Sequence, residues 1–332
     1  MRRRAGILGV LVSAVLGVPV VSAQTAPPAN DDCLGCHAEP SLVRSDGRPV
    51  AVKAEAFAAS VHASFSCVDC HSDLAKAELP HAERLAPVGC ATCHDEPAGL
   101  YTDSIHGQAR TRTSVAPTCT SCHGSHDIRP KADAASPVHG PNIPTTCSAC
   151  HADQHRLYGG SIHAEQLEVG NTGAPQCVSC HTAHRPAATA SDAWQLSAVE
   201  QCGTCHREAL ATYRDSVHGQ VTALGFTPVA KCADCHQPHQ VLAVSNPASS
   251  VAPGNRLATC RTCHPSASEN FALFQPHANK DDRERLPALY YAARFMDALL
   301  IGVFGFFGAH TVLWFARERV GRDEGKEEDR RG

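Results

Sequence analysis

Methionine, aromatic side chains, excess positive charge and cysteines outside one motif are all scarce or missing from these 332 residues. The two methionines are Met1, in an N-terminal leader, and Met296, beside an apolar C-terminal run, so a thioether ligand is nearly excluded from everything between them. Aromatic residues make up 5% of the chain, with two Trp and ten Phe, a poor supply of side chains for a conventional core. Lys and Arg number 29 against 33 Asp and Glu, a formal charge of −4, which argues against a nucleic-acid partner. Long apolar runs occur twice, at Ala5–Val21 and Ala298–Ala316.

Cysteine is abundant, at 18, and none is left over. The thiols form Cys33/Cys36, Cys67/Cys70, Cys90/Cys93, Cys119/Cys122, Cys147/Cys150, Cys177/Cys180, Cys202/Cys205, Cys232/Cys235 and Cys260/Cys263. Each pair is a C-x-x-C followed at once by histidine: His37, His71, His94, His123, His151, His181, His206, His236 and His264. C-x-x-C-H is the c-type haem attachment motif, in which both thiols bond the macrocycle and the histidine becomes the proximal iron ligand. Disulfides, the usual use of cysteine in an exported chain, do not fit this spacing. Zinc knuckles leave nine adjacent histidines unexplained. Nine covalent haem c groups are therefore expected. With about 29 residues per motif between Gln24 and Pro287, the porphyrins must supply much of the core.

The first cysteines stand 23 to 34 residues apart, but alternate steps from Cys33 onward are 57, 57, 55 and 58. The repeat is a two-haem unit, and repetition on this scale indicates an array of stacked units. Odd motifs carry a second histidine twelve residues on, at His106, His163 and His218, or thirteen on at His277. The first three of these, like His62 after the first motif, lie in S-[IV]-H-[GA]. Even motifs carry one three residues on, at His126, His184 and His239; the second motif has His81 instead. These nine distal candidates match the nine proximal ligands and predict bis-histidine, low-potential haems. A histidine three residues past a proximal ligand lies on the same side of the porphyrin, and one twelve residues on lies about 18 Å along a helix. Both are expected to serve neighbouring haems. His139 and His155 fall outside the pattern, and His310 lies in the apolar run, with either a structural or a cofactor role open to it.

Frequent Pro and Gly predict short helices, with one at His206–Asp215, and a small hairpin at Arg44–Lys53. The expected fold is mainly α with much irregular loop: a multihaem array on two-haem repeats, plus one C-terminal transmembrane helix. Arg2–Arg4, the run to Val21 and the V-S-A ending at Ala23 read as a signal peptide, whose removal moves the charge to −7. The expected domains are signal peptide 1–23, periplasmic nonahaem domain 24–287, transmembrane helix 288–316 and cytoplasmic tail 317–332. The apolar core from Ala298 spans roughly 28 Å, close to the hydrocarbon thickness. Tyr290, Tyr291 and Trp314 stand at its edges, and the basic tail beyond predicts a cytoplasmic C-terminus. Gly302, Gly305 and Ala309 form a small-residue face suited to a partner helix.

On these motifs, the sequence resembles the multihaem c-type cytochromes with doubled CxxCH, of the S-V-H-G…C-x-x-C-H-x-x-H kind. The run F-F-G-A-H-T-V-L-W-F (306–315) resembles the c-type portion of membrane cytochrome b/c complexes. That resemblance implies single-electron transport in respiration, with a membrane b-type cytochrome or quinone-linked subunit and a periplasmic redox partner. The chain departs from the small tetrahaem quinol dehydrogenases, whose anchor is N-terminal. An alternative is a multihaem reductase of a nitrogen or sulfur oxyanion. That needs one open iron, which would have to hide at His81 or His277, because no C-x-x-C-K variant occurs. An extracellular wire fits the repeat but not the C-terminal span.

Overall fold

A computed structural model describes residues 26–329, with side chains to 319. The expected signal peptide lies outside the described residues, as do the charged side chains of the tail beyond Arg319. Among the described residues no strand forms, and only two helices exceed nine residues, Asp192–Cys205 and Pro287–Asp329. The fold is mostly helical with much irregular loop, as the Pro and Gly spacing predicts. His206–Asp215 does form a helix, at Arg207–Asp215. The expected hairpin shrinks to one antiparallel bridge, Val43 with Pro49, around a turn with Gly47 at φ +79.

The C-x-x-C-H pentapeptide folds as a single turn. Cys67–Cys70, Cys119–His123, Cys177–His181 and Cys232–His236 are one-turn helices. The His71, His94, His151, His206 and His264 amides each donate to the carbonyl of their motif's first cysteine, at 2.9–3.0 Å. Residues three and four apart share a helix face. One turn therefore presents two thiols and an imidazole side by side, which explains the need for this spacing.

The chain divides into two compact units. The first comprises residues up to Gly99 with Cys119–Ser136; the second comprises Leu100–Thr118 with Pro137 onward. In both, little apolar surface is buried. The buried hydrophobic residues are Ile143, Ala164, Ala174, Val199, Tyr213, Ala252 and Ala267, and the most deeply enclosed side chains are Ser104, Ser136 and Ser249. Serines do not drive folding by burial, so the polypeptide alone lacks the core its helices need.

The C-terminal helix carries the one apolar stretch long enough to cross a membrane among the described residues. It covers Pro287–Arg319 at a mean hydropathy of 1.8, and none of its most apolar part is buried against the protein. Arg294 stacks over Tyr290 at 5.4 Å and Arg283 over Tyr291 at 5.6 Å, placing charge and ring together at the start of the helix.

Candidate haem-binding array

Among the described contacts, eight imidazole pairs have ring centres 5.9–6.3 Å apart, each joining one proximal with one distal histidine. In the first unit these are His37 with His81, His94 with His62, and His71 with His126. In the second they are His151 with His106, His206 with His163, His181 with His239, His264 with His218, and His236 with His277. Of the two remaining candidates, His123 belongs to the first unit and His184 to the second. Imidazole–metal bonds of about 2 Å on each side, with about 1 Å more from each nitrogen to its ring centre, require a separation near 6 Å. The residues therefore fit an iron held between two imidazoles.

The pairing is more regular than spacing alone suggests. His62, His106, His163 and His218 each reach the next odd motif, whereas His126 and His239 reach back to the preceding even one. Every one of these histidines pairs with one two motifs away. His277 faces the eighth motif rather than the ninth, the motif from which it was counted, and His81 faces the first rather than the second.

Local backbone explains the two spacings. In S-[IV]-H the serine caps the helix that carries the histidine: Ser104 accepts from Gly107, Ser161 from Ala164 and Ser216 from Gly219, at 3.0–3.2 Å. The Ser104 and Ser216 hydroxyls also donate at 2.6 Å to the carbonyls of Tyr101 and Tyr213, on the preceding helix. A Cβ at Gly107 or Gly219 would collide with those same carbonyls, so these two corners require glycine. In the three H-x-x-H motifs the residue after the proximal histidine is left-handed: Gly124 at φ +80, Thr182 at +61 and Gln237 at +70. That reversal turns the chain away before the second histidine. At β-branched Thr182 it carries local strain.

A backbone latch repeats with the ligands. The amide before the distal histidine donates to the carbonyl two residues past an H-x-x-H: Val61 to Ile128, Ile105 to Pro186 and Ile162 to Val241, at 2.8–2.9 Å. Three tyrosines, absent from the sequence-based site, form a second latch. The phenol five residues before the distal histidine donates to the carbonyl two residues before the next motif's first cysteine. The bonds are Tyr101 to Pro117 at 2.6 Å, Tyr158 to Pro175 at 2.9 Å and Tyr213 to Ala230 at 2.9 Å. Burial pushes the Tyr158 phenol up to about 12. The constant Y-x-x-S-[IV]-H spacing marks this set once the carbonyl partners are known.

The histidine environments suit iron. Burial lowers the pKa of His71, His106, His126, His163, His181, His218, His236 and His239, favouring the neutral, ligating imidazole. The Nδ1 atoms of His37, His81 and His277 lie 2.7–3.1 Å from the carbonyls of Val50, Ala82 and Ala209, leaving Nε2 for a metal. His71 differs: its Nδ1 is buried without a partner. Trp194 stacks on His181 at 5.5 Å with planes 12° apart.

The thiols trace the order of the motifs. Cys33 lies beside Cys67, Cys90 beside Cys119, Cys147 beside Cys177 and Cys202 beside Cys232. The second cysteine of an even motif instead neighbours the following odd motif: Cys70 with Cys90 and Cys93, Cys180 with Cys202 and Cys205, Cys235 with Cys260 and Cys263. Within each unit, these attachment points are therefore contiguous.

Cys36, Cys122 and Cys150 complete the set of second cysteines expected to attach haem, and the structure places all three at exposed positions. The same holds for every other second cysteine except the half-buried Cys235, whereas most first cysteines are half-buried. The sequence did not separate the two classes, because both carry the same residue at the same spacing. The physical reason lies in the turn: the first thiol lies toward neighbouring chain and the second toward the outside. A thiol that bonds the edge of a macrocycle needs access to it, so exposure at Cys36, Cys122 and Cys150 fits attachment and not a place in a protein core.

Residues 42–151 match the Class III cytochrome C family. That stretch holds four of the C-x-x-C-H motifs. No curated protein and no solved structure matches the chain.

Proposed function

We propose that this chain, built around its multihaem cytochrome c region, is a membrane-anchored carrier of single electrons with nine haems. It would pass them between a quinone-linked, b-type membrane partner and periplasmic acceptors in respiration. The observation that supports the reading best is the set of eight proximal–distal imidazole pairs. Covalently attached haem c supplies a one-electron ferric/ferrous couple at each motif.

The chain's own residues then do three things. The paired thiols hold successive attachment points against one another. Each distal histidine would supply a second imidazole to the haem iron of the motif it faces. The carbonyls beside His37, His81 and His277 fix which nitrogen faces the metal. With methionine missing from the ligand set, all sites remain of the low-potential bis-histidine type. The expected leader and the C-terminal apolar helix support a periplasmic array tethered to the inner membrane, with the C-terminus in the cytoplasm.

The reductase alternative requires an open iron at His81 or His277. Each of these instead stands opposite a proximal ligand, at 5.9 and 6.3 Å. Mixing the dithionite-reduced full chain with nitrite, and separately with sulfite, tests the choice. A carrier shows no catalytic reoxidation of excess reductant. Sustained turnover with either oxyanion would establish the reductase instead.

A further inference from the structure

We infer that the haem attached at Cys232 and Cys235 is the port through which electrons pass between the array and the membrane. This inference rests on the quinone-linked reading above and specifies one site within it. The proximal ligand is His236, and the facing imidazole, His277, is 6.3 Å away. Six of the other paired distal histidines sit in an S-[IV]-H corner or an H-x-x-H turn of the repeat. His277 instead belongs to the segment that leads into the apolar helix, which starts at Pro287.

That segment is fastened on both sides. Toward the array, His277 Nδ1 lies 3.1 Å from both the Ala209 carbonyl and the Thr212 hydroxyl. Asn279 reaches Glu208 at 3.5 Å, and Lys280 pairs with Asp215 at 2.7 Å. All four partners lie on the helix Arg207–Asp215. Toward the membrane, Asp281 pairs with Arg294, two turns into the apolar helix. The ten residues from His277 to Pro287 could extend to roughly 35 Å if free. With these attachments the span is shorter, and one ligand set is tied to the membrane helix itself.

The adjoining ninth motif is the competing port. Its Cys260 and Cys263 neighbour Cys235, and its facing imidazole is His218, within the helix Val217–Ala223. His218 has no comparable tie to the linker. An electron entering at the eighth motif need not visit the ninth to reach the seventh.

Two full-chain variants in native membrane vesicles separate these routes, with duroquinol as the reductant. Met/His ligation raises a haem's potential. His277→Met and His218→Met should therefore each shift one component upward in a potentiometric titration, while dithionite still reduces every haem. A shift of about 59 mV is tenfold in a one-electron equilibrium, so His277→Met should slow duroquinol reduction of the remaining haems about tenfold. His218→Met should slow that rate less than His277→Met does. Slowing by His218→Met as large as that by His277→Met, or no slowing by His277→Met despite its shifted potential, overturns the port. Failure of duroquinol to reduce the wild-type protein overturns the quinone-linked reading beneath it.

Discussion

Tyr158 shows how single side chains hold the array in register. The phenol crosses from the helix carrying His155 to the segment preceding Cys177, and its donor lies 2.9 Å from the Pro175 carbonyl. Tyr101 and Tyr213 make the same bond, whereas the first repeat has Phe57 at that position. Tyr158→Phe should cost about 1 kcal/mol, the worth of a hydrogen bond whose acceptor is left part-buried. For a domain of this size that lowers Tm by roughly 2–4 °C. An unchanged melting temperature would show that the phenol does not hold the repeat. The paired thiols, the histidines that follow them and the histidines set opposite these were picked out by fixed residue types at fixed spacings, the pattern that covalent attachment and axial ligation would demand. The tyrosines were not, because a hydroxyl-to-carbonyl bond constrains only one partner's identity. Once the structure is known, their distance from each distal histidine makes the pattern plain.

At the scale of elements, the same corner is used repeatedly, and what differs is the segment it latches onto. Ile162 is the first residue of its helix, and its amide goes outward, to Val241, instead of into the helix. Proline is well accepted at that helical position, and Ser161 is already extended as a preceding residue must be. Ile162→Pro should therefore spare the helix while removing the latch, at a cost of about 1 kcal/mol. Val217 occupies the equivalent position, is 73% exposed and has no such latch among the described bonds. Val217→Pro should be nearly neutral in the same chemical denaturation experiment. Equal losses would mean that proline damages the corner itself. The destinations of the distal ligands were only half legible. Sequence reasoning placed them on neighbouring haems from the side of the porphyrin they occupy. It could not show that the neighbour lies two motifs away, since that depends on the left-handed residues after His123, His181 and His236. Likewise, the hairpin at Arg44–Lys53 had the right turn residues, but too little flanking chain for a ladder.

Over the whole chain, a longer period emerges beneath the two-haem repeat. Ser104-Ile105-His106-Gly107-Gln108 returns 112 residues later as Ser216-Val217-His218-Gly219-Gln220. In both, the glutamine amide donates to the carbonyl of the aspartate five residues before it, at 3.1 and 3.3 Å. The deeply buried Ser136 returns as Ser249, 113 residues on, and their hydroxyls reach the Arg129 and Leu242 carbonyls. The family match over 42–151 is of the same length and holds four motifs. A four-haem module used twice, with a ninth motif appended next to the membrane linker, fits these correspondences. It also explains why the linker finds its ligand role at the last repeat, where no further motif is available to export one.

All of this rests on both axial positions of every iron being closed by histidine. Low-temperature EPR of the air-oxidised full chain, quantified against its haem content, tests that most directly. The expected result is nine low-spin ferric haems per chain and no high-spin component. A stoichiometric high-spin signal that shifts on adding nitrite or cyanide would contradict it, because it would place an open, ligand-binding iron in what is described as a closed array.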